Sequence, residues 1–336
     1  MKRWLLAALA AGATALTAMS AVAADYPWKP TKPLTIIVPW SAGGSTDQVT
    51  RVIAGELGDA LGQKVVVVNQ PGASGSIGTK NAWEAPKDGY TWAAGAAGDL
   101  GTYVVLGMLD TKITDWHLFL DVANVAVVGV NADAPYQDFG QLLSAMKASP
   151  GKIAVATAGI SSGGHNAMEL ISQATGAQYK HVTYDGGNPA VIATVAGETE
   201  VTTQLASEQA EMIRAKKLRP LAVLADKPLE IAGHGEIPPI TQWIPTLQVA
   251  TNYFGIWAPK GIPDDAVKTM EMVWEDKITA SDALKKYAAN RGAQFTPYYG
   301  DEAQKRVMGM IQNNAWTLYE GGKAKIKPDT VGIPKP

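Results

Sequence analysis

Two apolar segments near the start of the chain are each followed by a loop of Gly, Ser and Thr and then by a helical pattern. Residues 34–38 precede the loop 39–47 (PWSAGGSTD), and residues 65–68 precede the loop 69–78 (NQPGASGSIG). Two closely spaced strand–loop–helix units predict a parallel sheet with helical crossovers. Each loop also presents free backbone N–H groups at the positive end of a helix dipole. Two such helix N-termini facing one crevice would bind an anion, most simply a carboxylate.

The alternation of strands and helices restarts in the second part of the chain. The pattern predicts helices near 46–61 and 75–84 and a strand near 90–97. The apolar run 122–130 is interpreted as one long strand that crosses into a second lobe, and 253–258 as the strand that returns. Two α/β lobes with crossing strands leave a cleft at the carboxyl ends of the strands, where ligands usually bind.

The N-terminus has the features of an export signal. Met1-Lys2-Arg3 is positive, the following residues are apolar and rich in alanine, and Ala21-Val22-Ala23 forms a small-x-small cleavage site. We therefore expect a signal peptide at 1–23 and a mature protein in the periplasm. The predicted division of the rest is a discontinuous first lobe, 24–125 plus 252–336, and a second lobe, 126–251.

Composition excludes several classes of function. The chain has no cysteine, so disulfides, thiolate zinc sites and thiol nucleophiles are excluded. Its formal net charge is -2 and it has no basic run, so nucleic acid and anionic membranes are poor partners. No His, Asp and Glu cluster has the spacing of metal ligands, and no cofactor motif is complete. We expect neither metal nor cofactor.

Seven segments carry a resemblance to one protein family. In chain order they are PWSAGGSTD at 39–47 with Arg51 after it, NQPGASGSIG at 69–78, DGYT at 88–91, PGK at 150–152, SSGGH at 161–165, YDGGNPA at 184–190 and APKGIP at 258–263. Together they resemble the signatures of the Bug-type periplasmic binding proteins, which serve tripartite tricarboxylate transporters. The resemblance spans nearly the whole mature chain in the right order.

The resemblance implies an α/β, two-lobe periplasmic-binding-protein (Venus-flytrap) fold, each lobe a mainly parallel sheet flanked by helices. It implies a non-enzymatic protein that captures a small organic carboxylate and delivers it to a membrane permease of the tripartite tricarboxylate type. The ligand-binding residues carried over from the family are Trp40, Ser41, Ala42, Gly43, Gly44, Asp47, Gly72, Ala73, Ser74, Ser76, Ser161, Ser162, His165 and Tyr184. The chain departs from the family pattern at Trp40, where phenylalanine is common, and at Ser74, where glycine is frequent.

Three classes of ligand stay open at this point. Trp40, with Trp92 or Tyr184, would suit an aromatic carboxylate by stacking. A dicarboxylate would place its far end on Ser161, Ser162 and His165. An amino acid would need a carboxylate in the cleft for its ammonium group, for which Asp99 and Glu208 are the candidates.

Two alternative functions also follow from the sequence. A periplasmic sensor component would present the same loaded cleft to a signalling receptor instead of a permease. A serine hydrolase would use Ser161 in Gly159-Ile160-Ser161-Ser162-Gly163, which matches the nucleophile-elbow pattern G-x-S-x-G. That mechanism would need Asp226 and His234 as the acid and base, and it would leave the two anion-binding loops without a role.

Overall fold

Two large sheets and a third of only two strands organise the described part of the chain. The computed structural model describes residues 25–336, so the predicted signal peptide at 1–23 lies outside the described residues. The strands are β1 (Leu34–Val38), β2 (Val65–Asn69), β3 (Thr91–Ala96), β4 (Trp116–Asn124), β5 (Val127–Asn131), β6 (Ala154–Thr157), β7 (Lys180–Thr183), β8 (Val201–Thr202), β9 (Leu218–Val223), β10 (Leu229–Ile231), β11 (Gly235–Ile237), β12 (Asn252–Pro259) and β13 (Gln294–Phe295).

Ten α-helices lie in the part of the chain that the structure describes. They are α1 (Ser45–Leu61), α2 (Ser76–Glu84), α3 (Ala97–Val105), α4 (Phe139–Ala148), α5 (Gly163–Thr175), α6 (Gly187–Val195), α7 (Ala206–Arg214), α8 (Asp264–Val273), α9 (Asp282–Arg291) and α10 (Gly300–Glu320). None of the helices within 25–336 is long and apolar enough to cross a membrane.

The first lobe is built on a six-stranded sheet with the order β13-β4-β12-β3-β1-β2. β1 pairs in parallel with both β2 and β3, as the strand–helix alternation predicts. β12 lies antiparallel between β3 and β4, because it enters the sheet from the second lobe. The core of this lobe contains large buried side chains, among them Trp92, Phe119, Trp257 and Trp274.

The second lobe is built on a five-stranded sheet with the order β7-β6-β8-β5-β9. β6 is parallel to β7 and β8, whereas β5 is antiparallel to β8 and β9. The two-lobe α/β fold is therefore confirmed, but both sheets are mixed rather than mainly parallel. The difference arises because the strands that connect the lobes run against the parallel βαβ units.

The predicted long strand at 122–130 is divided in two. β4 ends at Asn124 in the first sheet and β5 begins at Val127 in the second, so the lobes change at residues 125 and 126. Periodicity could not show this break, because apolar residues continue through both strands and both are almost entirely buried. The strands of the first sheet lie within 34–124 and 252–295, and those of the second within 127–223. The exact lobe boundaries stay a prediction.

Two helices that matter for the site have no counterpart in the sequence prediction. α3 follows β3 directly and all nine of its residues are buried, so it lacks the polar stripe that marks a surface helix. α7 follows β8 and buries mostly small or polar side chains, which gives a weak apolar signal. Each begins at the cleft between the lobes.

Candidate functional site

The two Gly-rich loops lie side by side, as their positions after neighbouring strands β1 and β2 require. A Cβ at Gly78 would lie 2.9 Å from the Cα of Pro39, so only glycine permits this approach of the two backbones. A Cβ at Gly75 would lie 2.9 Å from Cζ2 of Trp40 and 2.4 Å from the hydroxyl of Tyr103. The loops are therefore fitted to each other at the carboxyl edge of the first sheet.

A small cavity of about 30 Å³ lies between the lobes, and the N-termini of five helices line it. Its wall includes N-cap or first-turn residues of α1, α3, α5, α6 and α7. The residues are Trp40, Gly44, Ser45, Thr46, Ala96, Asp99, Ala158, Ser162, Gly163, Gly187, Gln204, Leu205, Glu208, Asn252 and Phe254. Helix N-termini carry partial positive charge, so their convergence creates an anion-binding environment without a basic side chain.

Asp47 holds the first loop together. Its carboxylate accepts hydrogen bonds from the backbone N–H of Gly43 at 3.0 Å and from the side-chain amide of Asn69 at 2.9 Å. It also forms an ion pair of 2.8 Å with Arg51, one turn further along α1. Burial raises the pKa of Asp47, but the hydrogen bonds from Arg51, Gly43 and Asn69 outweigh it and hold the pKa below its usual value.

The other predicted residues of the first loop differ in their contacts. The backbone N–H of Ser41 donates to the carbonyl of Asp185 in the second lobe at 3.0 Å, and the Ser41 hydroxyl donates to the same oxygen. Gly43 has φ +81° and lies against the side chain of Asn188. Ala42 is exposed. Of the predicted residues in this loop, Trp40 and Gly44 line the cavity.

The second loop bridges the lobes instead of lining the cavity. Gly72, Ala73, Ser74 and Gly75 all have positive φ, which turns the chain tightly before α2. The Ser161 hydroxyl donates to the carbonyl of Ser74 at 2.6 Å, and the Ser74 hydroxyl accepts from the backbone N–H of Ile160 at 3.1 Å. A further predicted residue, Ser76, donates to the carbonyl of Ala73.

The predicted residues of the second lobe fall into three places. Ser162 is the N-cap of α5 and lines the cavity. His165 is buried away from the cavity wall, where its ring stacks on His181 at 4.3 Å and lies 3.5 Å from the carboxylate of Glu169. The hydroxyl of Tyr184 donates to Glu198 at 3.3 Å, away from the cavity.

Asp99 and Glu208 both lie on the cavity wall. Each is the third residue of its helix, α3 or α7, where the helix dipole favours a carboxylate. Glu208 accepts from the backbone N–H of Ser45 in the opposite lobe at 3.0 Å and from Leu205 at 3.2 Å. One orientation of the Gln204 side-chain amide gives both its oxygen and its nitrogen a hydrogen-bond partner. In that orientation the nitrogen also donates to Glu208 at 2.9 Å.

Burial controls the ionisation of both acids. It raises the pKa of Glu208 to about 7, against the hydrogen bonds from Ser45 and Leu205. It also raises the pKa of Asp99 well above its usual value; a hydrogen bond with the Trp40 side chain opposes this rise, and the charge of Glu208 adds to it. The two carboxyl groups therefore interact electrostatically across the cavity.

Several wall residues have no signal in the sequence that would have identified them. Asn252 and Phe254 open β12, and Gln204 lies just before α7, far along the chain from either Gly-rich loop. Trp92, a candidate stacking platform, is instead in the core, where its indole donates to the carbonyl of Gly89 and packs against Phe119. Among the described residues, no group of three or more His, Cys, Asp or Glu is placed to hold a metal ion.

The arrangement required of a serine hydrolase is not assembled around Ser161 in the described residues. Its hydroxyl donates to a backbone carbonyl of the other lobe, and no hydrogen bond joins it to a histidine. His234, the proposed base, is exposed beside a surface groove lined by Ile213 and Lys216.

Comparison with known proteins decides the family. Residues 49–317 match the family model described as tripartite tricarboxylate transporter family receptor. The chain belongs to this receptor family. A relative described as the UPF0065 protein in the tcbD-tcbE intergenic region of Pseudomonas sp. (strain P51) is 32% identical over 263 residues, 76% of each chain. Protein BugT of Bordetella pertussis is 29% identical over 306 residues, which is 89% of this chain and 91% of BugT.

A solved structure agrees with the receptor fold. The R. palustris protein Rpa4515, solved with adipate, superposes with a TM-score of 0.79 at 25% sequence identity, covering 88% of this chain and 99% of Rpa4515. The resemblance to the Bug-type family that the sequence motifs carry is thereby confirmed.

Proposed function

We propose that this receptor binds a small organic carboxylate in the cavity between its lobes and delivers it to a tripartite tricarboxylate-type permease from the periplasm. The observation that carries the proposal is the convergence of the N-termini of α1, α5 and α6 on one cavity. Asp99 and Glu208 lie at the N-termini of α3 and α7, and Glu208 also accepts from the backbone N–H of Ser45 at the start of α1. The N-termini of α5 and α6 are therefore left to face an anion without displacing an acid of the protein. Family membership and the adipate in Rpa4515 support the same class of ligand.

The proposed mechanism is capture by closure. The cavity has room for only a few water molecules, so the lobes have to separate to admit a ligand and then close around it less tightly than in this structure. The Ser41–Asp185 and Ser74–Ser161 contacts join the lobes in the closed form. Closure removes the ligand carboxylate from water, where N–H···O⁻ hydrogen bonds become stronger. It also creates the surface by which a permease distinguishes a loaded receptor.

We propose that the protein releases its ligand unchanged. Ser161 acts in this account as a contact between the lobes, since its hydroxyl donates to Ser74. A purified protein that hydrolyses a chromogenic ester, and loses this activity in Ser161→Ala, would overturn the proposal.

A substitution on the cavity wall tests the binding function. A Cβ at Gly187 would lie 2.1 Å from the Glu208 carboxylate, so Gly187→Ala should disturb the wall at the start of α6. We expect carboxylate affinity to fall by about tenfold or more, measured by calorimetry with a panel of di- and tricarboxylates and aromatic carboxylates. The matched control is Gly309→Ala on α10, where a Cβ would meet nothing within 4 Å. Equal affinities of the two variants would contradict the assigned site.

A further inference from the structure

The carboxylate of Glu208 lies where three helices begin. Its Oε1 accepts from the backbone N–H of Ser45 at the start of α1 at 3.0 Å, and its Oε2 accepts from the backbone N–H of Leu205 at the start of α7 at 3.2 Å. It also lies against Gly187 at the start of α6, where a Cβ would overlap the carboxylate. Glu208 is therefore an anion of the protein itself, placed among the N-termini of α1, α6 and α7.

A second hydrogen bond joins the starts of α1 and α7. The hydroxyl of Ser207, next to Glu208, donates to the hydroxyl of Ser45 at 2.8 Å, and the side-chain amide of Asn124 donates to the same hydroxyl at 3.0 Å. Ser45 and Ser207 are both buried in this contact between the lobes. The fit is close, since a Cβ at Gly44 would lie 3.3 Å from Oε1 of Glu208. The start of α1 in the first lobe is thus held on the start of α7 in the second.

The charge of Glu208 matters for any other anion in the cavity. The N–H groups at a helix N-terminus stabilise a carboxylate that accepts from them. Among the described residues that line the cavity, none is Lys, Arg or His, so no cationic side chain on the wall offers a second anion an alternative partner. A ligand carboxylate that approaches Ser45 is repelled by Glu208 at short range. The two carboxylates therefore compete for the same N–H donor.

We propose that Glu208 is an internal competitor of the ligand carboxylate. Its contact with Ser45 holds the lobes closed over a cavity with room for only a few water molecules. A ligand carboxylate displaces Glu208 from this N–H, and Glu208 returns to it as the ligand leaves. The contact lowers the affinity and favours release, because the closed form that it stabilises excludes the ligand. This inference rests on the proposed carboxylate-binding function and adds how the site is regulated.

Glu208→Ala removes the competitor and tests the inference by two measurements at pH 8, above the pKa of about 7 of this carboxyl group. Small-angle X-ray scattering of the free protein should give a larger radius of gyration, because the contact with Ser45 is lost. Isothermal titration calorimetry with succinate, adipate, citrate and benzoate should show affinities about tenfold higher for those that bind. The matched control, Glu236→Ala, removes an exposed acid of the second lobe and should change neither quantity.

Substitutions at Ser45 test the N–H donor without changing the charge of Glu208. Ser45→Pro removes the N–H at a position where a helix accepts proline, and Gly44 before it has φ -74° and ψ 173°, which suits a residue that precedes proline. Ser45→Ala is the matched control, since it loses the same hydroxyl and keeps the N–H. Glu208→Ala should raise the affinity when combined with Ser45→Ala but not when combined with Ser45→Pro. Circular dichroism would verify the folding of each variant.

The outcomes separate this inference from the proposed function. Weaker binding of the carboxylates by folded Glu208→Ala would make Glu208 a ligand contact and overturn the inference, while leaving carboxylate binding intact. An unchanged radius of gyration together with an unchanged affinity would also overturn it. Absence of binding of every carboxylate by both the wild type and Glu208→Ala would instead overturn the proposed function.

Discussion

Glu208, in the second lobe, accepts a hydrogen bond at 3.0 Å from the backbone N–H of Ser45, the first residue of α1 in the first lobe. The two residues are 163 positions apart, and their contact joins the lobes across the cavity. The Glu208 carboxylate lies at the N-terminus of α1, which the sequence predicts to bind the carboxylate of a ligand. The protein thus places one of its own acids beside the site for a ligand carboxylate.

The ionisation of Glu208 should make stability depend on pH. Burial raises its pKa from 4.5 to about 7, so the folded protein holds this proton more tightly than the unfolded chain. The resulting stabilisation is complete below about pH 4.5 and is lost as the pH rises to about 7, with an upper limit of about 3 kcal/mol. Glu208→Gln should remove this contribution.

The measurement is urea unfolding of the wild type and of Glu208→Gln at several pH values from 4 to 8. The difference in the free energy of unfolding between the two proteins should shift in favour of the variant as the pH rises. Glu236→Gln serves as a control with no such trend. A difference that stays constant with pH would contradict the raised pKa.

Asp47 should stabilise the first loop. Asp47→Asn removes the ion pair with Arg51 and weakens the hydrogen bond that fixes the turn at Gly43. We expect a loss of about 1–3 kcal/mol at neutral pH, since the carboxylate is buried and fully hydrogen-bonded. Asp59→Asn, an exposed position on the same helix, should change stability by less than about 0.5 kcal/mol. Equal effects in urea unfolding would show that Asp47 has no special role.

Gly75 should be intolerant of a side chain. Its φ is +88°, and a Cβ would lie 2.4 Å from the hydroxyl of Tyr103 and 2.9 Å from Trp40. Gly75→Ala should therefore cost about 1–3 kcal/mol and shift Trp40 at the cavity wall. Gly55→Ala in α1, where a Cβ meets nothing within 4 Å, should be neutral or stabilising by up to about 1 kcal/mol. Thermal unfolding of both variants tests this prediction. A Gly75→Ala variant as stable as the wild type would refute the close packing of the two loops.

The Ser161–Ser74 hydrogen bond should favour the closed form. Ser161→Ala removes this contact between the lobes, which is worth about 1 kcal/mol. We expect the radius of gyration of the free protein, measured by small-angle X-ray scattering, to increase. Ser144→Ala, whose hydroxyl donates only to Gly140 within α4, should leave it unchanged. Identical scattering of the two variants would mean that this contact does not hold the lobes together.

Local signals account for what could be predicted from the sequence. Residues 34–47 and 65–78 combine apolar strands with Gly, Ser and Thr at helix starts, and both motifs form the expected strand–loop–helix units. The parallel neighbours β1 and β2 then bring the loops together. The family resemblance extended these local signals to the two-lobe architecture.

The remaining features depend on packing between distant segments. Which residue of the second lobe meets the start of α1 is set by how the lobes close, and no local pattern identifies Glu208 for that position. The break between β4 and β5 is hidden because both strands are apolar. Trp92 was a candidate for the cleft, but the register of β3 directs it into the core.

Thermal unfolding with matched ligands tests the central claim, that the cavity binds a carboxylate at converging helix N-termini. Each acid is compared with its amide: 6-aminohexanoate with 6-aminohexanamide, and adipate with adipamide. A shorter series compares 4-aminobutanoate and succinate with their amides in the same way. A carboxylate at 100 times its Kd should stabilise the protein by about 2.7 kcal/mol, whereas the amides, which lack the anion, should leave the unfolding temperature unchanged. Stabilisation by the amides equal to that by the acids, or none by any carboxylate, would contradict the account.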